Sequence, residues 1–288
     1  MKTGVKYLAW LLAAAFVFAG CSSETQSAKP EASTEAEPAG SGSPAADSGL
    51  QQAISQYREY AIGETDSLIV ETEKFVKAVK DGDIDTAKKL YAPTRMYYER
   101  IEPIAEALGD LDPNIDAREN DVEEAEWRGF HRIEKGLWAE NKTAGYEDYA
   151  DRLLNDVKSL RALMETVDVD ASLLVTGAVE LLNEVSSSKV TGEEERYSHT
   201  DLYDFAANVE GAKKIYELLR PELESRDADL SREIAGKFDA LEERLNRYKS
   251  GDGYVSYLEL KDEDTRALSQ ALDALAEPLS MMGKALGV

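Results

Sequence analysis

One histidine and one glutamate stand three residues apart in residues 129–138. If this segment is an α-helix, His131 and Glu134 share one face, because residues three apart are neighbours on a helical surface. An imidazole and a carboxylate on one face form half of a metal site. The remaining ligands are then expected from the carboxylate-rich stretch just upstream.

That stretch contains Glu99, Glu102 and Glu106, which fall on one stripe of a predicted helix. Such a stripe usually faces solvent. Neighbouring antiparallel helices of a bundle, however, bring their side chains together, and Asp116 lies between this stripe and the His131 helix. The sequence therefore places Glu99, Glu102 and Asp116 as candidate oxygen ligands.

Carboxylates with a single imidazole form a hard, oxygen-rich set that suits iron, manganese or calcium, and zinc is also tolerated. A zinc peptidase of the His-Glu-x-x-His type needs two histidines one helical turn apart, and the chain lacks that arrangement. It also lacks a nucleophile-elbow pattern and a phosphate-binding glycine loop. A metal-dependent hydrolase that activates water through a carboxylate-bound ion stays open as the alternative to a binding protein.

The second histidine lies in residues 191–202, which read as a loop that enters a helix capped by Thr200. The acids at 193–195 either complete the metal site or form a solvated charge run, and composition favours the solvated run. We interpret His199 as a hydrogen-bonded structural histidine.

The amino terminus has the pattern of a bacterial lipoprotein export signal. Lys2 and Lys6 precede an apolar run that ends just before Cys21. The run is short for a membrane span, and the single cysteine has no disulfide partner. We predict that residues 1–20 are removed and that Cys21 carries the lipid; an uncleaved anchor helix is the less favoured alternative. Residues 21–49, rich in small and polar types, are predicted to form a flexible tether.

The charge balance indicates what kind of partner the chain binds. Lysine and arginine total 33 against 57 acids, which gives a net charge of −24. A nucleic-acid partner is therefore not expected, and the lipid rather than the protein surface would hold the chain at a membrane. Cations are the natural ligands of such a surface.

Apolar residues in the remainder, residues 50–288, recur every three or four positions, which predicts an all-α domain of about eight helices. The sequence at 87–91, Ala-Lys-Lys-Leu-Tyr, is echoed at 212–216 as Ala-Lys-Lys-Ile-Tyr. This echo favours a duplication, although a chance match stays possible. The architecture that follows is two four-helix bundles with a boundary near residue 168, packed together around a metal-binding cleft.

Four segments, residues 98–106, 115–119, 129–134 and 197–202, together resemble the imelysin-like EfeO/EfeM family over essentially all of residues 50–288. The resemblance implies two four-helix bundles in a periplasmic or surface protein that delivers ferrous or ferric iron to an Efe-type permease with an associated peroxidase. It also implies a set of ligands: His131, Glu134, Glu99, Glu102, Asp116 and, from the 193–195 acids, Glu194.

One departure from the family pattern concerns the segment that precedes the helical part. Longer EfeO relatives carry a cupredoxin domain there, whereas this chain has only the tether, without histidine or further cysteine ligands for copper. Copper-linked oxidation of ferrous iron is therefore not expected. Because imidazole binds metal only when neutral, the sequence predicts that affinity weakens as the pH falls through about 6.5.

Overall fold

The computed structural model describes residues 44–288, and their side chains except at residues 44–47, 105 and 106. The predicted signal, Cys21 and most of the tether lie outside the described residues. The first helix begins at Pro44, six residues before the domain boundary expected at Leu50.

The described residues form nine α-helices and a two-stranded antiparallel hairpin, which confirms the all-α fold class. The helices are α1 (Pro44–Asp81), α2 (Ile84–Glu99), α3 (Leu111–Asp116), α4 (Phe130–Trp138), α5 (Glu147–Met164), α6 (Ala171–Ser187), α7 (Asp201–Arg226), α8 (Ala228–Leu245) and α9 (Asp262–Leu286). The hairpin strands are β1 (Lys249–Ser250) and β2 (Gly253–Tyr254). Among these helices, none is long and apolar enough to cross a membrane.

Local sequence explains where several helices start. Asp83 caps α2 by accepting a hydrogen bond from the Thr86 backbone N–H, directly after Gly82 with its positive φ of 77°. Asp170 caps α6 in the same way, through the Leu173 N–H. The turns at residues 81–83 and 168–170 therefore both depend on a short acidic side chain that pairs with a free amide.

The prediction that Glu99 and Glu102 lie on one regular helix is wrong. Helix α2 ends at Glu99, and a separate 3₁₀ helix covers Glu102–Leu108. Pro103 explains part of this break, because proline has no N–H and disfavours the α conformation in the residue before it. Glu99 and Glu102 therefore do not belong to one regular helical stripe.

Tertiary contact explains the rest of the break. A Cβ on Gly177 of α6 would lie 1.7 Å from the Pro103 carbonyl oxygen, and one on Gly211 of α7 would lie 2.3 Å from the Arg100 carbonyl oxygen. The backbone between α2 and the 3₁₀ helix thus packs directly against two glycines. This close approach turns Glu99 into the protein, where it is fully buried, and leaves Glu102 with only 11 % of its side chain exposed.

The helices share one hydrophobic core in the described residues. Helix α1 packs against α2 and α5, whereas α6 packs against α7 and α9, and α8 packs against the same two helices. Helix α7 also contacts α1 and α2. The two echoed segments lie in α2 and α7, but the duplication and the two-bundle division stay predictions.

Candidate metal centre

His131 is buried beside Asp116 because two chain segments approach closely. Gly129 precedes α4 with a φ of 90°, and a Cβ there would lie 2.3 Å from the Ile115 carbonyl oxygen. Only glycine fits this position, which places the first turn of α4 against the end of α3. His131 is consequently only 2 % exposed and faces Asp116.

Both ring nitrogens of His131 face carboxylates. Nε2 lies 3.6 Å from Asp116 Oδ1 and 3.6 Å from Glu194 Oε1. Nδ1 lies 3.3 Å from Glu134 Oε2 and 3.5 Å from the Tyr91 hydroxyl. The structure thus places three of the other five predicted ligands, Asp116, Glu134 and Glu194, around the imidazole of His131.

Two overlapping sets of three residues have ligand atoms within 4.8 Å of one another. One set is Asp116, His131 and Glu194, and the other is His131, Glu134 and Glu195. Nitrogen and carboxylate oxygen at such spacing are suited to a single hard or borderline cation.

The interpretation of 193–195 as a solvated run is wrong for two of its three acids. Glu194 and Glu195 are buried, at 2 % and 0 % exposure, whereas Glu193 is exposed. The loop folds inward because the Glu195 backbone N–H donates to Asp201 Oδ1 at 3.1 Å, at the start of α7. His199, in the same loop, has a left-handed φ of 58° and lies outside the cluster around His131.

Glu99 and Glu102 have a lysine and an amide as partners, not the imidazole. Lys189 Nζ lies 3.1 Å from Glu99 Oε2 and 2.8 Å from Glu102 Oε2. Asn208 Nδ2 donates to the same two oxygens at 3.0 and 2.7 Å. These predicted ligands are therefore adjacent to the histidine but already bonded to protein donors.

Arg95 is a central residue of the cluster that sequence reasoning missed. It is fully buried in α2, and its guanidinium lies at ion-pair distance from five carboxylates. These are Glu99, Asp116, Glu194, Glu195 and Asp204. A signal was present, since Arg95 follows Tyr91 by four residues and precedes Tyr98 by three, so it shares their buried helical face. Lys189, in a serine-rich stretch, had no comparable signal.

Opposing effects set the protonation of the cluster. Burial and the Arg95 guanidinium act to lower the pKa of His131, but the neighbouring carboxylates of Glu134, Glu194 and Asp116 outweigh them and raise it to about 9. Burial raises the pKa of Asp116 to about 6, even though Arg95 pulls it down. At neutral pH the ring therefore carries a proton that a cation must displace, and the pH window expected near 6.5 moves upward.

Glu194 is affected in the opposite direction. Burial acts to raise its pKa, but the Lys189 ammonium and the His131 ring outweigh burial and hold the pKa well below the usual range. Glu194 therefore stays ionised next to the imidazole, and its Oε2 accepts a hydrogen bond from Arg118 at 2.9 Å.

The fold and the cluster define an all-helical protein with one histidine buried among carboxylates. The profile of the family described as "Peptidase_M75: Imelysin" matches residues 53–282. The chain belongs to the imelysin family, which confirms the resemblance seen in the sequence motifs.

Relatives carry the name "Efem/EfeO family lipoprotein". One from Staphylococcus haemolyticus (strain JCSC1435) is 52 % identical over 238 residues, covering 81 % of this chain and 83 % of the relative. Two relatives from Staphylococcus aureus, of strains NCTC 8325 / PS 47 and COL, are each 48 % identical over 239 residues. Each match covers 81 % of this chain and 84 % of the relative.

Proposed function

We propose that this chain is a lipid-anchored, extracytoplasmic metal-binding protein of an Efe-type iron uptake system. It binds iron, as Fe²⁺ or Fe³⁺, and delivers it to a membrane permease that works with a peroxidase. The family membership and the lipoprotein name of the relatives support this role. Zinc, manganese and calcium are the competing cations that the donor set would also accept.

The observation that carries the proposal is the setting of His131. Its ring is buried, Nε2 has no hydrogen-bond partner, and carboxylates of Asp116 and Glu194 face that nitrogen. Buried polar atoms normally have partners, and a nitrogen left unpaired among carboxylates suits a cation that completes its bonding.

The test is a metal titration of the lipid-free mature chain, from residue 22 onward, with iron, zinc, manganese and calcium. We expect saturable binding of about one ion per chain, lost in His131→Ala. His199→Asn is the matched control, because asparagine tolerates the left-handed backbone at that position and His199 lies outside the cluster. Unchanged binding in His131→Ala would contradict the proposal.

A metal-dependent hydrolase is the second candidate, and the peptidase name of the family profile favours testing it. Such an enzyme would use a carboxylate-bound ion to activate water. Metal-dependent cleavage of a peptide library, abolished by His131→Ala, would support the hydrolase. Absence of cleavage under conditions of saturated metal binding supports the binding protein.

The lipid anchor has its own test. Cys21→Ser removes the proposed attachment atom, so the protein should move from the membrane fraction to the soluble extracytoplasmic fraction. Ser22→Ala, next to it in the sequence, is the control and should stay with the membrane. Retention of the Cys21→Ser protein in the membrane would contradict lipidation at this residue.

A further inference from the structure

We infer that residues 117–127, which connect α3 to α4, form a strap along one wall of an acidic cavity, and that Glu119 holds this strap closed. The strap is a property of the metal-free fold and therefore goes beyond the proposed function; only its effect on ion exchange rests on that function. The joined ends of the strap, its exposed middle and the bonds of Glu119 carry the inference.

The two ends of the strap are bonded to each other. The Trp127 indole N–H donates to the Ala117 carbonyl oxygen at 2.8 Å, and Trp127 is only 1 % exposed. The Arg132 guanidinium, in α4, lies 4.7 Å from the centre of the same ring. A loop whose ends are joined in this way can swing about its base while the flanking helices stay in place.

The middle of the strap has few contacts that hold it against the protein. Asn120, Asp121 and residues 123–126 are all exposed. The backbone N–H groups of Asp121, Glu126 and Trp127 donate to carbonyls within the strap itself. Because segments with few buried apolar contacts open at a low free-energy cost, the closed position depends on a small number of side-chain bonds.

Glu119 makes most of those bonds. One of its carboxylate oxygens pairs with Lys135 Nζ, and the other accepts the Tyr197 hydroxyl proton. Its backbone carbonyl accepts a hydrogen bond from Arg196 Nη1 at 2.6 Å. Lys135 belongs to α4, whereas Arg196 and Tyr197 belong to the loop before α7. A single strap residue therefore connects the strap to two separate segments of the protein.

The strap and α6 both line a cavity of about 340 Å³. The strap residues that line it are Ala117, Arg118, Asp121 and Val122, and the acids from α6 are Glu180 and Glu184. The same cavity gives access to the carboxylates of Asp116 and Glu194. Movement of the strap relative to α6 therefore changes how open the path to these two carboxylates is.

Arg118 gives the closed strap an effect on cations. It is the single basic residue among the described residues that line the cavity, where acids predominate. Its Nη1 donates to Glu194 Oε2 at 2.9 Å, and its Nε donates to Asp121 of the strap at 2.9 Å. A guanidinium at this place repels an incoming cation and occupies an oxygen of Glu194. Opening the strap withdraws that charge, so we expect ions to enter and leave while the strap is open.

Spin labels measure the opening directly. The lipid-free mature chain, from residue 22 onward, contains no cysteine, so Ala125→Cys in the strap and Thr176→Cys in α6 provide two exposed labelling sites. In the metal-free protein, pulsed dipolar spectroscopy should show one main distance between the labels. Glu119→Gln removes the charge that pairs with Lys135, so the population at longer distances should rise by about 3–10-fold.

The matched control is Glu123→Gln, which removes the same charge from an exposed strap residue outside the contacts of Glu119. Tyr197→Phe is a second variant, because it removes only the hydroxyl that donates to Glu119. It should change the distances in the same direction by a smaller amount. If the distances in Glu119→Gln equalled those in Glu123→Gln, the inference would be overturned.

Zinc exchange, followed by stopped flow with a fluorescent chelator, tests the effect on ions. In Glu119→Gln the association and dissociation rate constants should both rise by about 3–10-fold, with Kd changed by less than about twofold, because the strap alters access and not the ligands. Unchanged rates in a strap that opens would overturn its role in ion exchange. Failure of the unmodified chain to bind zinc, iron or manganese at all would instead contradict the proposed function, while the spin labels would still decide whether the strap opens.

Discussion

Two acidic regions lie side by side in this protein and differ in what neutralises them. The histidine region consists of His131, Asp116, Glu134 and Glu194. The lysine region consists of Lys189, Glu99, Glu102 and Asn208. In the lysine region, each carboxylate bonds to a fixed cation and an amide. In the histidine region, Asp116 and Glu194 face a ring nitrogen that has no hydrogen-bond partner.

The difference shows that acidity alone does not make a cation site. Asp116 and Glu194 also pair with fixed cations, Arg95 and Arg118, so the histidine region differs in having a ring nitrogen without a hydrogen-bond partner beside its acids. Arg95 connects the two regions, since its guanidinium pairs with Glu99 on one side and Asp116 on the other. Its charge limits how much negative charge the buried acids present together.

The largest expected effect is on folding. Arg95→Met leaves buried carboxylates in both regions without their shared cation, so the free energy of unfolding should fall by about 3–5 kcal/mol. Arg100→Met, one turn later and in partly exposed pairs with Glu64 and Glu210, is the control, with an expected loss of about 1 kcal/mol or less. Urea unfolding of both variants measures the difference; equal losses would mean that Arg95 does not hold the regions together.

The next effect is the pH dependence of metal binding. The folded-state pKa of His131 is raised to about 9, so the proton stabilises the metal-free fold fully below about 6.5, and this contribution is lost as the pH rises to 9. Because metal competes with that proton, affinity should increase by about tenfold per pH unit across this window and level off above it. Titrations in metal-buffered solutions at several pH values check this.

If the metal affinity stopped rising already near pH 6.5, the carboxylates of the histidine region would not raise the pKa of the His131 ring. Glu102→Gln, in the lysine region, should leave the slope unchanged.

Metal should also stabilise the fold. At a free ion concentration of 100 times Kd, an ion that binds only the native state adds about 2.7 kcal/mol, which calorimetry detects as a rise in Tm. The rise should disappear in His131→Ala and persist in His199→Asn. A rise that survives His131→Ala would place the ion outside the histidine region.

The smallest effect compares one carboxylate from each region. Glu194→Gln should lower metal affinity at least about tenfold, or about 1.4 kcal/mol, because a charged ligand is lost. Glu102→Gln is the matched control, because this side chain bonds to Lys189 and Asn208 and not to the imidazole. Isothermal titration should show that Glu102→Gln binds metal with nearly the affinity of the unmodified chain. Equal losses of affinity in the two variants would contradict the proposed difference between the regions.

Sequence reasoning predicted the helical fold and the centre of the site, but only part of its surroundings. His131 and Glu134 were predictable because their spacing on one helix fixes their proximity. Asp116 was predictable as a nearby acid before the same helix. The burial of Glu194 was not, because its loop folds inward through a bond to Asp201, at the start of the following helix.

The hydrogen-bond partners of Glu99 and Glu102 could not be predicted from the sequence either. Lys189 is 90 residues from Glu99 along the chain, and Asn208 is 109 residues away. Such pairs depend on how helices pack, here on the contacts of Gly177 and Gly211 with the backbone near Pro103. The order of charged residues along the chain does not indicate that these helices pack so closely.

The sequence by itself determined the all-α class, the imelysin family motifs and the histidine with its glutamate one turn away, since each depends on periodicity or on neighbours along the chain. Tertiary structure alone decided which charged groups surround His131. It placed Arg95 and Lys189 among the acids and left His131 Nε2 without a hydrogen-bond partner, because bonding between buried groups is settled only when distant segments come into contact.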